Sequence, residues 1–225
     1  MKKNGKITLC SGVVSVAAFA VFTALVRSVD VQPVGQNGTD IGFASINRLF
    51  HSLTGVSMTL YSITDWLGLV PVLVCMLFGA VGLVQLVRRR GIARVDRDIL
   101  LLGAYYAAVM LAYLAFEMIP INYRPIPING FMEASYPSST TLLVLSVMPT
   151  LVFQADRRLA CSAVRRAVRI LTAGFCVFMT AARLLSGVHW LTDIVGSLML
   201  SGGLFWLYKA AVLLLCKGES KEDGI

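Results

Sequence analysis

The segment with the clearest chemical pattern is 183–193, which reads RLLSGVHWLTD. His189 and Asp193 are four residues apart in it, so they share one face if the chain is helical there. A carboxylate bound to one imidazole nitrogen fixes the tautomer and leaves the other nitrogen free as a nucleophile or base. The spacing predicts either an oriented catalytic histidine or a structural pair.

Two arginines accompany this pair. Arg183 comes six residues before His189, and the Ser-Gly pair at 186–187 predicts a bend between them. Arg124 belongs to a second polar segment, 117–139, which reads EMIPINYRPIPINGFMEASYPSS. Either arginine alone is typical of a side chain that extends to a membrane interface. Together they could hold one phosphate through paired hydrogen bonds, which predicts an anion site.

The second polar segment ends in a helix-start pattern, Pro137, Ser138 and Ser139. Proline is pre-organised for the first turn of a helix. The free amides of a helix N-terminus favour an anion, and serine hydroxyls can add hydrogen bonds. Alone this pattern is common, but beside two arginines and an oriented histidine it predicts a site that handles phosphate.

The elements that must position these residues are strongly apolar. The chain has 225 residues, of which 57% are hydrophobic and 14% charged. Average soluble domains have about 45–50% apolar and about 25% charged residues. A single core of this size cannot bury so much apolar side chain. The composition therefore argues against a soluble enzyme, a disordered protein and a nucleic-acid-binding domain.

Six apolar stretches approach the length that crosses about 30 Å of hydrocarbon. Backbone groups cannot bond to water there, so helices are the economical structure. The predicted fold class is therefore all-α, a polytopic membrane protein with six transmembrane helices. The spans are 7–26, 67–87, 99–116, 140–153, 167–185 and 194–216.

The basic residues sort by side once the spans are drawn. Of the 20 Lys and Arg, all but Arg27, Arg48, Arg124 and Arg183 fall on one side. Positively charged loops stay in the cytoplasm, which predicts that both termini are cytoplasmic and that the polar segments face outward. We expect residues 1–216 to form one domain and 217–225 to be a short polar cytoplasmic tail.

The remaining polar features predict no further site. Residues 41–53 have apolar positions at roughly helical spacing, which predicts an interfacial helix. We expect its His51 to be an interfacial polar residue and Tyr61 an interface aromatic. The five cysteines lie in spans or on the basic side, so no disulfide is expected. No Cys/His spacing indicates a metal site.

At these residues the chain resembles the type 2 phosphatidic acid phosphatase superfamily of integral-membrane lipid phosphatases. The family pattern is K-x6-R-P, then P-S-G-H, then S-R-x5-H-x3-D. The third motif is matched at Arg183, His189 and Asp193, with Ala182 in place of serine. The first keeps Arg124-Pro125 but has Glu117 for the lysine, and the second keeps Pro137-Ser138 but reads Ser139-Thr140 for Gly-His.

The resemblance implies a six-helix bundle shared with vanadium haloperoxidases and a phosphatase that needs no metal or cofactor. It makes His189 the nucleophile that forms a phosphohistidine and Asp193 the group that orients it. Arg124 and Arg183 would hold the phosphate, and the serines Ser138 and Ser139 would help to bind it.

The two departures remove a positive charge and the leaving-group acid, whose loss typically costs about 10²–10⁴-fold in rate. A polyprenyl diphosphate substrate would need little protonation, because a phosphate monoester is a good leaving group. Alternatively Glu117 or Glu133 is the proton donor, if burial raises its pKa. The contrasting hypothesis is a weakened or inactive member that binds lipid phosphate. The substrate headgroup and the oligomeric state do not follow from the sequence.

Overall fold

The computed structural model describes residues 2–216, and the predicted tail at 217–225 lies outside the described residues. The described chain folds into eight α-helices with no β-strand among them. The helices are α1 (Lys2–Val26), α2 (Ala44–Thr54), α3 (Met58–Leu67), α4 (Leu69–Arg89), α5 (Arg97–Met118), α6 (Ser139–Arg158), α7 (Ser162–Leu185) and α8 (Leu191–Leu215).

Six of the described helical segments are long and apolar enough to cross a membrane, which confirms the predicted number of spans. The second segment is longer than predicted, because α3 runs into α4 to give a continuous Met58–Arg89. The fourth predicted span, 140–153, proves to be the fully membrane-length helix α6. The protein is therefore a multi-pass membrane protein.

Helix α6 lies at the centre of the bundle. Half of its most apolar window is buried, the largest share among the six spans, and its residues pack against α4, α5, α7 and α8. Buried polar groups tie it to its neighbours: Tyr105 on α5 donates to the carbonyl of Ser146 at 2.9 Å, and Gln154 donates to Tyr208 on α8 at 2.8 Å. This central position fixes both ends of α6.

Helices α1 and α8 pack closely along their length. A Cβ atom on Gly12 would lie 2.9 Å from the backbone nitrogen of Leu207, and one on Gly203 would lie 2.8 Å from the side chain of Val16. Small residues at a helix interface let two backbones approach in a membrane. Helix α1 thereby supports α8, which begins next to His189.

The two ends of the bundle differ in charge. The arginine-rich connections α4–α5 and α6–α7 meet at one end, called here the basic end, where Arg158 binds Asp98. The polar segments of the sequence meet at the opposite end, called the site end. Helix α2 lies there, as the amphipathic pattern predicts, and its buried Asn47 accepts a hydrogen bond from the backbone N–H of Thr192. That contact attaches α2 to the first turn of α8.

Candidate active site

The connection between α5 and α6, residues 119–138, holds Arg124 at the site end. The backbone N–H of Arg124 donates to the carbonyl of Glu133 at 3.1 Å, and that of Ser135 donates to Asn122 at 2.9 Å. Gln36 also donates to the Arg124 carbonyl at 2.8 Å. These cross-links place Arg124, Glu133 and Ser135 together although the loop contains no regular strand.

His189 lies in a tight turn between α7 and α8. The predicted bend is present, and Gly187 adopts φ 68° in it. A Cβ there would lie 1.9 Å from the carbonyl oxygen of Gly55, so only glycine fits this close approach. The hydrogen bond from Ser57 N–H to the Ser186 carbonyl at 3.0 Å fixes the same turn. The side chain of His189 is thus held by a packed backbone.

His189 and Asp193 do not share a helical face, because the chain is not helical at His189, yet their side chains are close. Helix α8 begins at Leu191, so His189 precedes it. Asp193 lies in the first turn and accepts the backbone N–H of Trp190 at 2.8 Å. This capping contact draws its carboxylate back over the helix start, where its Oδ2 lies 3.5 Å from Nδ1 of His189.

Ser135 lies between the histidine and the aspartate. Its hydroxyl donates to Oδ2 of Asp193, and its oxygen lies 3.1 Å from Nδ1 of His189. With that proton donated to Asp193, the serine oxygen can accept Nδ1–H, which leaves Nε2 of His189 with its lone pair. Nε2 is buried without a hydrogen-bond partner. Sequence reasoning missed Ser135, although it lies only three residues before Ser138.

Arg183 is buried at the end of α7, with its side chain 1% exposed. It donates to Thr64 at 3.1 Å and to Thr140 at 2.7 Å, and it lies 3.6 Å from the carboxylate of Asp65. Its Nε has no partner. Sequence reasoning also missed Asp65, whose signal is a carboxylate directly before an apolar span.

Arg124 has even more unused donors. Its Nη2 pairs with Glu133 at 3.1 Å, while Nε and Nη1 are buried without partners. The ring of Tyr61 lies 5.8 Å from this guanidinium and 4.8 Å from that of Arg183. The expected role of Tyr61 as an interface aromatic is therefore incomplete, because its ring also contacts both cations.

A cavity of about 710 Å³ opens beside the two arginines. Its wall is polar toward the site end and apolar toward the bundle, where Leu69, Val72 and Met110 contribute. Ser139 also lines it. The other polar lining side chains are Tyr61, Asp65, Tyr113, Glu117, Arg124, Glu133, Thr140 and Arg183.

Three predicted site residues, Ser138, His189 and Asp193, do not line this cavity. Ser138 is fully buried, and its hydroxyl lies 3.1 Å from that of Thr141. His189 is 3% exposed, and neither it nor Asp193 contributes to the lining. The structure thus brings Arg124, Arg183, Ser139 and both glutamates to one space, while the His189–Asp193 pair is buried outside its lining.

The electrostatic setting favours a neutral imidazole at His189. Burial, followed by the positive charges of Arg124 and Arg183, lowers the pKa of His189 well below its ordinary value. A neutral imidazole has the lone pair that a nucleophile needs. Burial also lowers the pKa of His51, whose ring lies 5.6 Å from that of Trp190.

Among residues 2–216, no three His, Cys, Asp or Glu side chains are grouped closely enough to hold a metal ion.

Comparisons with known proteins show what the chain is similar to. A family model described as the PAP2 superfamily matches residues 101–215, which include Arg124, Arg183, His189 and Asp193. The chain is also similar to the crystal structure of a transmembrane PAP2-type phosphatidylglycerolphosphate phosphatase from Bacillus subtilis. The TM-score is 0.67 at 18% identity, covering 91% of this chain and 97% of that one. No curated protein sequence matches the chain.

Proposed function

This chain belongs to the PAP2 superfamily, and on that premise we propose that it removes a phosphate group from a lipid phosphate or polyprenyl diphosphate. The reaction would proceed through a phosphohistidine on His189. Both termini would be cytoplasmic and the site would face outward, with residues 1–216 acting as one domain. The basic end, rich in arginine, supports this orientation.

The observation that carries the proposal is a set of buried donors with nothing to bind. Arg124 retains Nε and Nη1, and Arg183 retains Nε. A buried unsatisfied polar group costs about 1–3 kcal/mol, so such groups are rarely left unused. Guanidinium N–H groups match phosphate oxygens in pairs. A phosphate in the cavity would satisfy these donors, and the proposal requires that it reach Nε2 of His189.

The proposed step forms one bond and breaks another. Nε2 of His189 attacks phosphorus while the bond to the leaving oxygen breaks, and the electron pair stays on that oxygen. Asp193, through Ser135 and directly, stabilises the positive imidazole that results. Water then hydrolyses the phosphohistidine to inorganic phosphate. Ser139 would help to bind the phosphate from the cavity wall. Ser138, which precedes it at the start of α6, would help through the helix N-terminus.

The leaving group lacks the general acid of the family motif, because Thr140 replaces the histidine that would protonate it. The Thr140 hydroxyl accepts a hydrogen bond from Arg183 at 2.7 Å, so it supports the phosphate-binding arginine. Glu117 and Glu133 line the same cavity and are the proposed proton donors. A diphosphate substrate would avoid the need for either, since its leaving group is already stable as an anion.

The shape of the cavity supports a lipid substrate. Its apolar wall is formed by side chains of the spans α4, α5 and α6, and its polar wall by the arginines and glutamates. A lipid with its chain along the apolar side and its phosphate at the arginines would match both walls.

The experiment is phosphate release by the purified protein from undecaprenyl diphosphate and from phosphatidate. We expect release by the wild type and none above background for His189→Ala. His51→Ala is the matched control, because it removes the other histidine of the chain, and it should retain activity. If neither wild type nor His189→Ala releases phosphate, the proposed hydrolysis of these two substrates is wrong. Equal, substantial release by both would remove His189 as the nucleophile.

A further inference from the structure

The charges that line the cavity do not favour a phosphate ligand that carries only negative charge. Two guanidiniums, Arg124 and Arg183, face three carboxylates, Asp65, Glu117 and Glu133. The lining thus has one net negative charge before any phosphate enters. The family pattern places a lysine where this chain has Glu117, a difference of two charge units at one position.

The carboxylates are not equivalent. Glu133 lies 3.1 Å from Arg124, and Asp65 lies 3.6 Å from Arg183, so each offsets one guanidinium. Glu117 forms no salt bridge or hydrogen bond with any residue in the described range 2–216. It is the carboxylate of the lining that is left to face a ligand.

The unpaired guanidinium groups of the same cavity favour an anion. Nε and Nη1 of Arg124 and Nε of Arg183 are buried and unpartnered, and both side chains are more than nine-tenths buried. A ligand that satisfies the arginines therefore brings negative charge into a space that already contains Glu117. A phosphate monoester has a charge of about −1.5 to −2 at neutral pH, and a diphosphate has more. In a partly apolar cavity these like charges repel more strongly than in water.

We propose that the preferred substrate is a lipid phosphate monoester whose headgroup contains an ammonium group close to the phosphate ester. The phosphate binds Arg124 and Arg183, and the ammonium binds Glu117. This inference rests on the proposed phosphatase function and narrows its substrate class. It favours a zwitterionic monoester over a polyprenyl diphosphate, which would add negative charge without a cation.

An ammonium in that place also accounts for Thr140. As Nε2 of His189 bonds to phosphorus, the ester P–O bond breaks and its electron pair moves to the ester oxygen. That oxygen takes a proton from the neighbouring ammonium, so the product leaves as a neutral amino alcohol. Solvent water then protonates the amine, and a second water hydrolyses the phosphohistidine. The substrate itself supplies the acid that the histidine of the family motif would supply.

The test compares two substrates that differ in the charge of one nitrogen. Sphingosine 1-phosphate has a free ammonium beside its phosphate ester, and N-acetylsphingosine 1-phosphate has a neutral amide there. For the wild type in detergent micelles, we expect kcat/KM to favour the ammonium substrate by about 10³-fold or more, because the amide loses both its charged hydrogen bond to Glu117 and the leaving-group acid. Glu117→Gln should lower this ratio by about tenfold to a hundredfold, the size of one hydrogen bond to a charged group, and Glu117→Lys should lower it further.

Asp40→Lys is the matched control, because Asp40 is an exposed carboxylate outside the cavity lining. It makes the same charge change and should keep the wild-type ratio. Glu117→Gln is nearly isosteric, so its result stands if the lysine variant fails to fold. An equal ratio in wild type and Glu117→Gln, or faster release from undecaprenyl diphosphate than from sphingosine 1-phosphate, would overturn the inference. No release from any of the three substrates would instead contradict the proposed function.

Discussion

Arginine–carboxylate clusters occur at both ends of the bundle, and they differ in how fully their hydrogen-bonding groups are used. At the basic end, Arg158 binds both oxygens of Asp98, at 2.8 and 2.9 Å. Asp96 accepts from Arg89 at 2.7 Å and from Gln85 at 2.8 Å. Burial alone would raise the pKa of Asp96, but these hydrogen bonds hold it below its usual value.

At the site end the same kinds of residue are incompletely paired. Unpartnered buried atoms occur on Arg124, Arg183, His189 and Asp193. The paired cluster holds α4, α5 and α6 together. The unpaired cluster leaves donors that the proposed phosphate would bind. Residue type therefore does not distinguish the structural cluster from the candidate site, whereas the number of unpaired hydrogen-bonding groups does.

The largest expected effect is on activity at the site end. Arg124→Gln removes a charged donor aimed at the phosphate, and we expect kcat/KM to fall by about 10²–10³-fold, as for the loss of one preorganised donor. The temperature of unfolding should change little, because two nitrogens of Arg124 bind nothing in the protein. Phosphate release and thermal unfolding in the same detergent measure both. A large fall in the temperature of unfolding would show that Arg124 is needed for stability, and would contradict the contrast between the two ends.

The reverse pattern is expected at the basic end. Asp98→Asn removes the charge that binds Arg158 and should lower the free energy of unfolding by about 2–3 kcal/mol. Asp98 is buried while Arg158 is one-third exposed, so the loss is smaller than for a fully buried pair. Thermal unfolding measures it, and kcat/KM well below that temperature should stay near the wild-type value. Lost activity in a folded Asp98→Asn protein would contradict the contrast.

A smaller effect on kcat is expected for Ser135, which orients the reacting histidine. Ser135→Ala removes the hydroxyl between His189 and Asp193, and we expect kcat to fall by about tenfold, as for other groups that orient a reacting side chain. KM should not change, because Ser135 does not line the cavity. Ser139→Ala is the contrasting variant, since Ser139 lines the cavity and should alter KM. An unchanged kcat for Ser135→Ala would exclude the serine from orienting His189.

The smallest expected effect is a shift in pH dependence. Because burial and the charges of Arg124 and Arg183 lower the pKa of His189, its neutral form persists into acid. The acid limb of kcat/KM should therefore have its midpoint below the ordinary value of 6.5. Arg124→Gln removes one charge that disfavours the imidazolium, so the limb should move to higher pH.

Arg48→Gln is the control for this shift, because Arg48 is exposed and lies outside the cavity lining. Its acid limb should coincide with that of the wild type. A limb that Arg124→Gln does not move would mean that the observed titration belongs to another group.

Much of the fold followed from local patterns. The six spans are runs of apolar residues, so their number could be read without tertiary information, and the structure confirms it. The bend between Arg183 and His189 is also a local feature, because the Ser-Gly pair at 186–187 predicts it, and the structure has it at Gly187. Family membership, inferred from these motifs, is also confirmed.

What could not be predicted depends on contacts between distant segments. Thr64 and Asp65 contact Arg183 only because α3 packs against the end of α7. Ser135 reaches His189 because its loop folds back on itself through backbone hydrogen bonds. The burial of Ser138 behind Thr141 likewise follows from the packing of α6 against α8. No periodicity within one segment contains this information.

The most direct test of the central claim is to trap the phosphorylated enzyme. The purified protein is mixed with a lipid phosphate, quenched in alkali and digested, and the peptide that contains His189 is examined by mass spectrometry. We predict an acid-labile, alkali-stable phosphate on His189 in the wild type and in His51→Ala, and none in His189→Ala. Turnover of the substrate with no phosphate on His189, or with phosphate on a different residue, would contradict the account.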